Sequence, residues 1–136
     1  MSTDQPERLP FWKRRIFVIE TIFSDLIFAI PLRGYKSRII NYDQWTDFEK
    51  SIFDYYLANK FQLIKQISAF LRSDWTINRL EQTTLSIILE AVAEYHVKNT
   101  PKNVLIQQAV ITTQKYSSEC EYKLVNAVLE NYFKSL

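Results

Sequence analysis

The sequence predicts an all-α fold, a single-domain helical bundle of five main helices plus short turns, and three observations carry that prediction. At 136 residues the chain can form one domain and is too short for two comfortable ones. Hydrophobic residues make up 47% of it, with nine Phe, eight Tyr and three Trp, which is ample material for a core and argues against disorder over most of the length. One Gly and four Pro supply few turns, whereas an all-β domain would need a turn about every 8–12 residues.

The elements follow in order. Residues 1–10 are polar and read as a flexible tail, and residues 11–136 as the domain. A first helix over 11–30 follows Pro10, with Trp12, Ile16, Ile19, Phe23, Leu26, Ile27 and Ile30 at intervals of three and four forming an apolar face, and Pro31 ending it. Residues 32–42 hold the only Gly, Gly34, among basic and aromatic side chains, and read as a loop with a short turn. A second helix starts at Thr46, where Thr46 and Glu49 form a T-x-x-E capping box. Phe53, Tyr56, Leu57, Ile64, Ile67 and Leu71 mark its buried face, and Ser73 and Asp74 close it.

Asn78 is placed to cap a third helix, with Glu81 three residues on. Leu80, Ile87, Ile88, Ala91 and Tyr95 share one face of it, and Leu85, Leu89 and Val92 form a second apolar stripe. Two stripes on one helix mean either burial nearly all round or a partner surface, for a protein or a second copy of the chain. Thr100 and Pro101 restart the chain as N-cap and first helical residue, followed by Val104, Ile106, Ala109, Val110 and Thr113. Ser118 and Glu121 make a second box, opening a last helix with Val125, Val128, Leu129 and Tyr132.

The net charge of +2 is unevenly spread. Between Arg8 and Arg38 lie Arg8, Lys13, Arg14, Arg15, Arg33, Lys36 and Arg38 against only Glu20 and Asp25. Such a basic segment marks either a nucleic-acid patch or a solvated face. Cys120, the single cysteine, cannot form an internal disulfide and reads as a core thiol in a reducing compartment. No apolar signal segment precedes the first helix, and residues 16–30 are interrupted by Glu20 and Asp25 and too short for a membrane span. The expectation is a cytoplasmic protein with no membrane association.

No catalytic constellation stands out. The only His, His96, lies near a polar helix end, and there is no metal-ligand spacing, Gly-rich phosphate loop or Cys–His pairing. No cofactor and no enzymatic activity are expected. An all-α mutase working with scattered Arg and Glu residues remains as an alternative.

Three patterns, in order and at fixed spacing, give the chain a family resemblance. Trp75, Arg79, Leu80, Ile87, Ile88, Ala91 and Glu94 match a W-x-x-x-R-L helix with an apolar pair and a late Glu; PKNVLIQQAV at 101–110 matches P-x-x-V-x-I-N-E-A-V; KLVNAVLE at 123–130 matches K-F-V-N-G-V-L-D. KRRIFVIETIF at 13–23 is similar to a basic first helix of the R-R-x-A kind. Together these resemble the NusB family of transcription antitermination factors. The departures are Gln107–Gln108 for the N-E pair, Leu89 for an Arg, Ala127 for a Gly, Leu124 for an aromatic and Phe23 for an aromatic commonly Tyr.

The resemblance implies an RNA-binding factor that, with the ribosomal protein NusE, binds the single-stranded boxA segment of ribosomal RNA leader transcripts. It acts in the RNA polymerase antitermination complex and promotes processive transcription of rRNA operons. Lys13, Arg14 and Arg15 would pair with phosphates. Lys123 occupies a family position near the RNA, with Phe23, Lys36 and Tyr116 as further contacts. Leu85, Leu89 and Val92 are the candidate interface for NusE or for a homodimer. The alternative from the departures is a divergent NusB-like protein-interaction scaffold with little RNA affinity. A NusB-like domain attached to an rRNA cytosine methyltransferase would need an α/β domain for which 136 residues leave no room.

Overall fold

The computed structural model describes residues 9–29, 34–39, 42–71, 80–117 and 121–136. The expectations that rest on Arg8, Ile30, Pro31, Arg33, Ser73, Asp74, Trp75, Asn78, Arg79, Ser118 and Cys120 lie outside these residues. Among the described residues five α-helices run in the order α1 (Phe11–Phe28), α2 (Asp47–Ser68), α3 (Gln82–Lys98), α4 (Lys102–Tyr116) and α5 (Tyr122–Lys134), with 3-10 turns at Tyr35–Arg38 and Tyr42–Gln44. The all-α prediction holds.

The centre of the bundle is α3. Every residue from Thr84 to Glu94 is buried, and the helix packs against α1, α2, α4 and α5. A helix apolar on all sides can satisfy that pattern only in the interior. Leu85, Leu89 and Val92 are 3%, 0% and 0% exposed, so the second stripe is core. The reading of these three as a surface for NusE or for a second copy is thereby corrected, because the other four helices already cover them.

Helix α2 begins at the predicted box: the Thr46 N–H donates to Glu49 Oε2 at 3.4 Å, and the Thr46 hydroxyl also meets Glu49. Its inner face is Ile52, Phe53, Tyr56, Leu57, Leu63 and Ile67; Ile64 and Leu71 sit at its margin. The segment before it is held by rings. Tyr42 meets Trp45 at 5.3 Å, and Trp45 and Tyr35 both meet Phe53, at 5.9 and 5.8 Å. Gly34 starts this segment at φ 72°, a backbone conformation that glycine adopts without a Cβ clash.

Three helix starts lie later in the chain than expected, by one residue in α4 and by three in α5 and in α3, whose N-cap is Glu81. Pro101 is the N-cap of α4 rather than its first residue, its carbonyl accepting from Val104 and Leu105, while the Thr100 hydroxyl turns back to Glu94 Oε2 at 2.7 Å. The inner face of α4 is Leu105, Ala109 and Thr113, with Val104, Ile106 and Val110 half-buried. Glu121 stands as the N-cap of α5, whose Val125, Val128, Leu129 and Tyr132 are buried as predicted, together with Phe133.

Helix α1 is rotated from its predicted orientation. Val18, Ile19, Ile22 and Asp25 are buried, whereas Trp12 is 46% exposed and Ile27 49%. Two inward-facing charges account for this. Asp25 accepts from the Tyr56 hydroxyl at 2.6 Å and pairs with Lys60 at 3.0 Å. Arg15 Nε and Nη2 donate to the two oxygens of Glu94 at 2.7 and 2.9 Å. Periodicity treats both as outward residues, so the apolar stripe read from the sequence was centred too far round the helix.

The Arg15 pair anchors a buried polar group. Burial opposes the charge on Arg15, but the hydrogen bonds and charge of Glu94, with Glu90 behind it, outweigh that and raise its pKa. Burial likewise opposes ionisation of Glu94, yet hydrogen bonds from Arg15, Glu90 and Thr100 hold its pKa below the ordinary carboxylate range. Glu90, one turn earlier and 3% exposed, is pushed well above that range by burial and by the adjacent Glu94 charge. The unit is a neutral acid hydrogen-bonded to a carboxylate that is clamped by a guanidinium.

Two predictions follow from this group. Arg15→Met should lose about 3–5 kcal/mol in urea unfolding, because it strands a charge at Glu94, and Arg15→Met/Glu94→Leu should recover most of the loss. Second, the folded state keeps Glu90 protonated where the unfolded chain has released the proton. Glu90 therefore makes stability fall as pH rises from the ordinary carboxylate range to its raised value. Glu90→Gln should remove that slope and be more stable than the parent near neutral pH; unfolding curves from pH 4 to 8 compare the two.

Candidate nucleic-acid interface

Three consecutive cations on a helix point in three directions, about 100° apart. Lys13 is exposed. Arg14 turns towards α2: its Nε donates to the Leu9 carbonyl at 2.8 Å and its Nη1 to Thr46 Oγ1 at 2.8 Å, with Glu49 at 3.9 Å. It ties the start of α1 to the capping box of α2. Arg15 is held by Glu94, as described. Two nitrogens of each guanidinium already meet acceptors inside the fold, so Arg14 and Arg15 tie elements together there rather than standing free for phosphates, as the sequence had led one to expect. Of the three, Lys13 is the cation presented to solvent.

The outward turn of α1 brings Trp12 against the end of α4. Lys13 Nζ lies 5.5 Å from the Trp12 ring and Lys115 Nζ 5.4 Å from it; Lys115 is also 5.5 Å from the Tyr116 ring. Trp12 and Tyr116 are 46% and 51% exposed. Two accessible rings and two ammonium groups thus form one patch across two helices. Rings that stack bases, interleaved with cations that meet phosphates, are the elements of a single-strand binding surface. The sequence reading named Lys13 and Tyr116 but placed Trp12 in the core and overlooked Lys115. The available signal was an aromatic next to a lysine, at 12–13 and again at 115–116.

Among the described residues, Phe23, Lys36 and Lys123 make no ring or ion contact with that patch. Phe23 is half-buried on α1. Lys36 is exposed and lies 5.9 Å from the Tyr42 ring, which it shares with Lys50 at 5.0 Å. Lys123 is exposed in the first turn of α5, beside the half-buried Leu124. His96 is exposed, with Nε2 2.8 Å from the Tyr132 hydroxyl and its ring stacked on Tyr55 at 5.2 Å. Among the described residues no group of three His, Cys, Asp or Glu is placed to hold a metal ion, and no described helix is long and apolar enough to cross a membrane.

Behind Trp12 a cleft of about 10 Å³ opens between α1, α3 and α4, lined by Trp12, Arg15, Glu90, Leu105, Gln108 and Thr112. It has room for about one water molecule. Glu90 Oε2 has no hydrogen-bond partner among the described residues.

Comparison with known proteins agrees with this architecture. The model of the NusB family matches residues 26–134. Three relatives, each named transcription antitermination protein NusB, come from Ligilactobacillus salivarius, Cyanothece sp. and Staphylococcus aureus. The first is 29% identical over 67% of this chain and 70% of its own length. The second is 35% identical over 68% of this chain and 44% of its own, and the third 39% identical over 53% and 55%. The chain thus matches about half the length of the latter two. A solved structure of T. maritima NusB superposes with a TM-score of 0.77 over 93% of this chain and 92% of that one, at 22% identity, and so shares the fold. The first turns of α1 precede the family match. On the match over residues 26–134, this chain belongs to the NusB family.

Proposed function

We propose that the protein is an RNA-binding transcription antitermination factor that, with NusE, binds boxA-type single-stranded RNA of ribosomal leader transcripts within the antitermination complex of RNA polymerase. Membership of the NusB family and the relatives' printed name support the class of function. The observation that carries the RNA reading is the joint exposure of Trp12, Lys13, Lys115 and Tyr116. Lys13 and Lys115 meet successive phosphates, and Trp12 and Tyr116 offer faces to unstacked bases. Lys123 adds charge at the start of α5. NusE contributes part of the specificity, since two lysines and two rings confer attraction more than sequence choice. The cytoplasm is the compartment this function requires, and no catalytic step is assigned.

The corrected roles of Arg14 and Arg15 give the test its controls. Lys13→Glu/Lys115→Glu should weaken binding of a fluorescently labelled boxA-like RNA about tenfold or more at low salt, with unchanged helicity, and should flatten the salt dependence. Arg15→Met should instead act through stability. The titration is run with and without NusE and beside a scrambled RNA. Equal affinity of parent and double variant would remove the patch from the RNA site, and absence of boxA preference in the presence of NusE would leave the scaffold reading.

A further inference from the structure

Three helix ends meet at one cluster of acids and hydroxyls. Glu81 is the N-cap of α3, Glu121 the N-cap of α5, and Ser117 the C-cap of α4. The Ser117 hydroxyl donates to Glu81 Oε2 at 3.0 Å and lies 2.7 Å from Thr84 Oγ1. The Glu121 carboxyl reaches the Glu81 carboxyl, the Thr84 hydroxyl and the Glu81 backbone N–H. Thr84 and Glu121 are buried, at 0% and 4% exposure, whereas Glu81 is exposed. Counting hydrogens round this ring leaves one short. The Ser117 hydrogen goes to Glu81, so the Ser117 oxygen accepts from Thr84, whose own hydrogen is taken there. No hydroxyl hydrogen is left for the contact between the two carboxyls, and Glu121 Oε1 meets no donor among the described residues. A carboxyl buried against another carboxyl keeps that contact with a proton in it.

Resting on the RNA-binding reading above, we propose that Glu121 carries the proton that closes this ring, and that the closed ring holds the end of α4 so that Lys115 and Tyr116 stand with Trp12 in the exposed patch. Loss of the proton releases that end and weakens RNA binding. Lys115 and Tyr116 are the last two residues of α4, and Ser117 follows them directly. It fastens the helix end through its hydroxyl and through its N–H, which donates to the Thr113 carbonyl at 2.9 Å. The carbonyls that end α4 disfavour negative charge, while the starts of α3 and α5 favour it. One carboxylate, the exposed Glu81, is accommodated there, and a second beside it is opposed. Burial and the Glu81 charge push Glu121 above the ordinary carboxylate range. Glu81 and Thr84 face it from α3 and Ser117 from α4. Lys115 of α4 lies against the Trp12 ring and Lys123 of α5 is exposed, and neither forms an ion pair with Glu121 among the described residues. The proton is therefore held below that raised value and lost as pH rises through it. The two charges then repel, and Ser117 loses its anchor.

Two pH titrations of the whole chain test this. The amide resonances of Lys115, Tyr116 and Ser117 are followed by NMR from pH 5 to 8, and the anisotropy of labelled boxA-like RNA is measured over the same range at constant ionic strength. The expected result is one step in the three amides, above the ordinary carboxylate range, with RNA affinity about tenfold lower on its alkaline side, the worth of one stacked base. In Glu121→Gln, whose amide is neutral at every pH and donates where the shared proton lay, both curves should be flat and the affinity should stay at the acid-side value. Glu81→Gln should flatten them as well, since its amide donates to Glu121 and the repulsion is gone; it decides the matter should Glu121→Gln not fold. Amides that do not move in the parent, or a step that persists in either folded variant, overturn the proton assignment. Amides that move while RNA affinity stays level overturn the link to the patch and leave RNA binding in place. Failure of the parent to bind boxA-like RNA at any pH, with or without NusE, overturns the RNA reading and the link with it.

Discussion

The bidentate contact between Arg15 and Glu94 is the constraint on which most of the structure depends. It links the first helix to the one that all others surround, and it does so where Glu94 has no access to solvent. Removing two charges from water costs several kcal/mol each, so such a pair persists only when the remaining oxygens are also satisfied. Thr100 and Glu90 do this from the two sides. The consequence is positional more than energetic. With Arg15 locked inward, α1 can dock in only one rotation about its axis.

That rotation builds the candidate surface. Arg15, Ile19, Ile22 and Asp25 face the bundle, and the same turn that buries them carries Trp12 and Lys13 outward to meet Lys115. Had the apolar residues alone set the rotation, Trp12 would have entered the core and the patch would lack its largest ring. A charge pair that contributes little net stability compared with an apolar contact of the same shape can thus fix which side chains are available for recognition. The cleft has the same origin. Glu90 is one turn from Glu94, and the acid that supports the pair is also the acid that lines the pocket behind Trp12.

The helices were legible in the sequence, but of the four expected N-caps only Thr46 is one; α3, α4 and α5 start from Glu81, Pro101 and Glu121. The T-x-x-E box at Thr46 and the buried stripe of α5 followed from spacing, because each rests on local hydrogen bonds or on periodicity within one helix. Leu85, Leu89 and Val92 show the limit of that reasoning. Two apolar stripes on one helix are compatible with a buried helix or a partner surface, and the number of neighbouring helices decides between them. The candidate RNA residues were legible only as a set. Lys13, Arg14 and Arg15 look alike in the sequence, and their separate partners, solvent, Thr46 and Glu94, lie up to 79 positions away.

The sequence by itself determined an all-α chain, the extent of its main helices and its family, since capping, periodicity and motif spacing are local properties written along the chain. The tertiary structure alone decided which polar residues lie inside. Asp25, Glu90 and Glu94 are buried because distant partners or a shared proton offset the loss of water, and hydropathy assigns such groups to the surface. From that one decision came the rotation of α1, the exposure of Trp12, and the approach of Lys13 and Lys115, from two helices, to its ring.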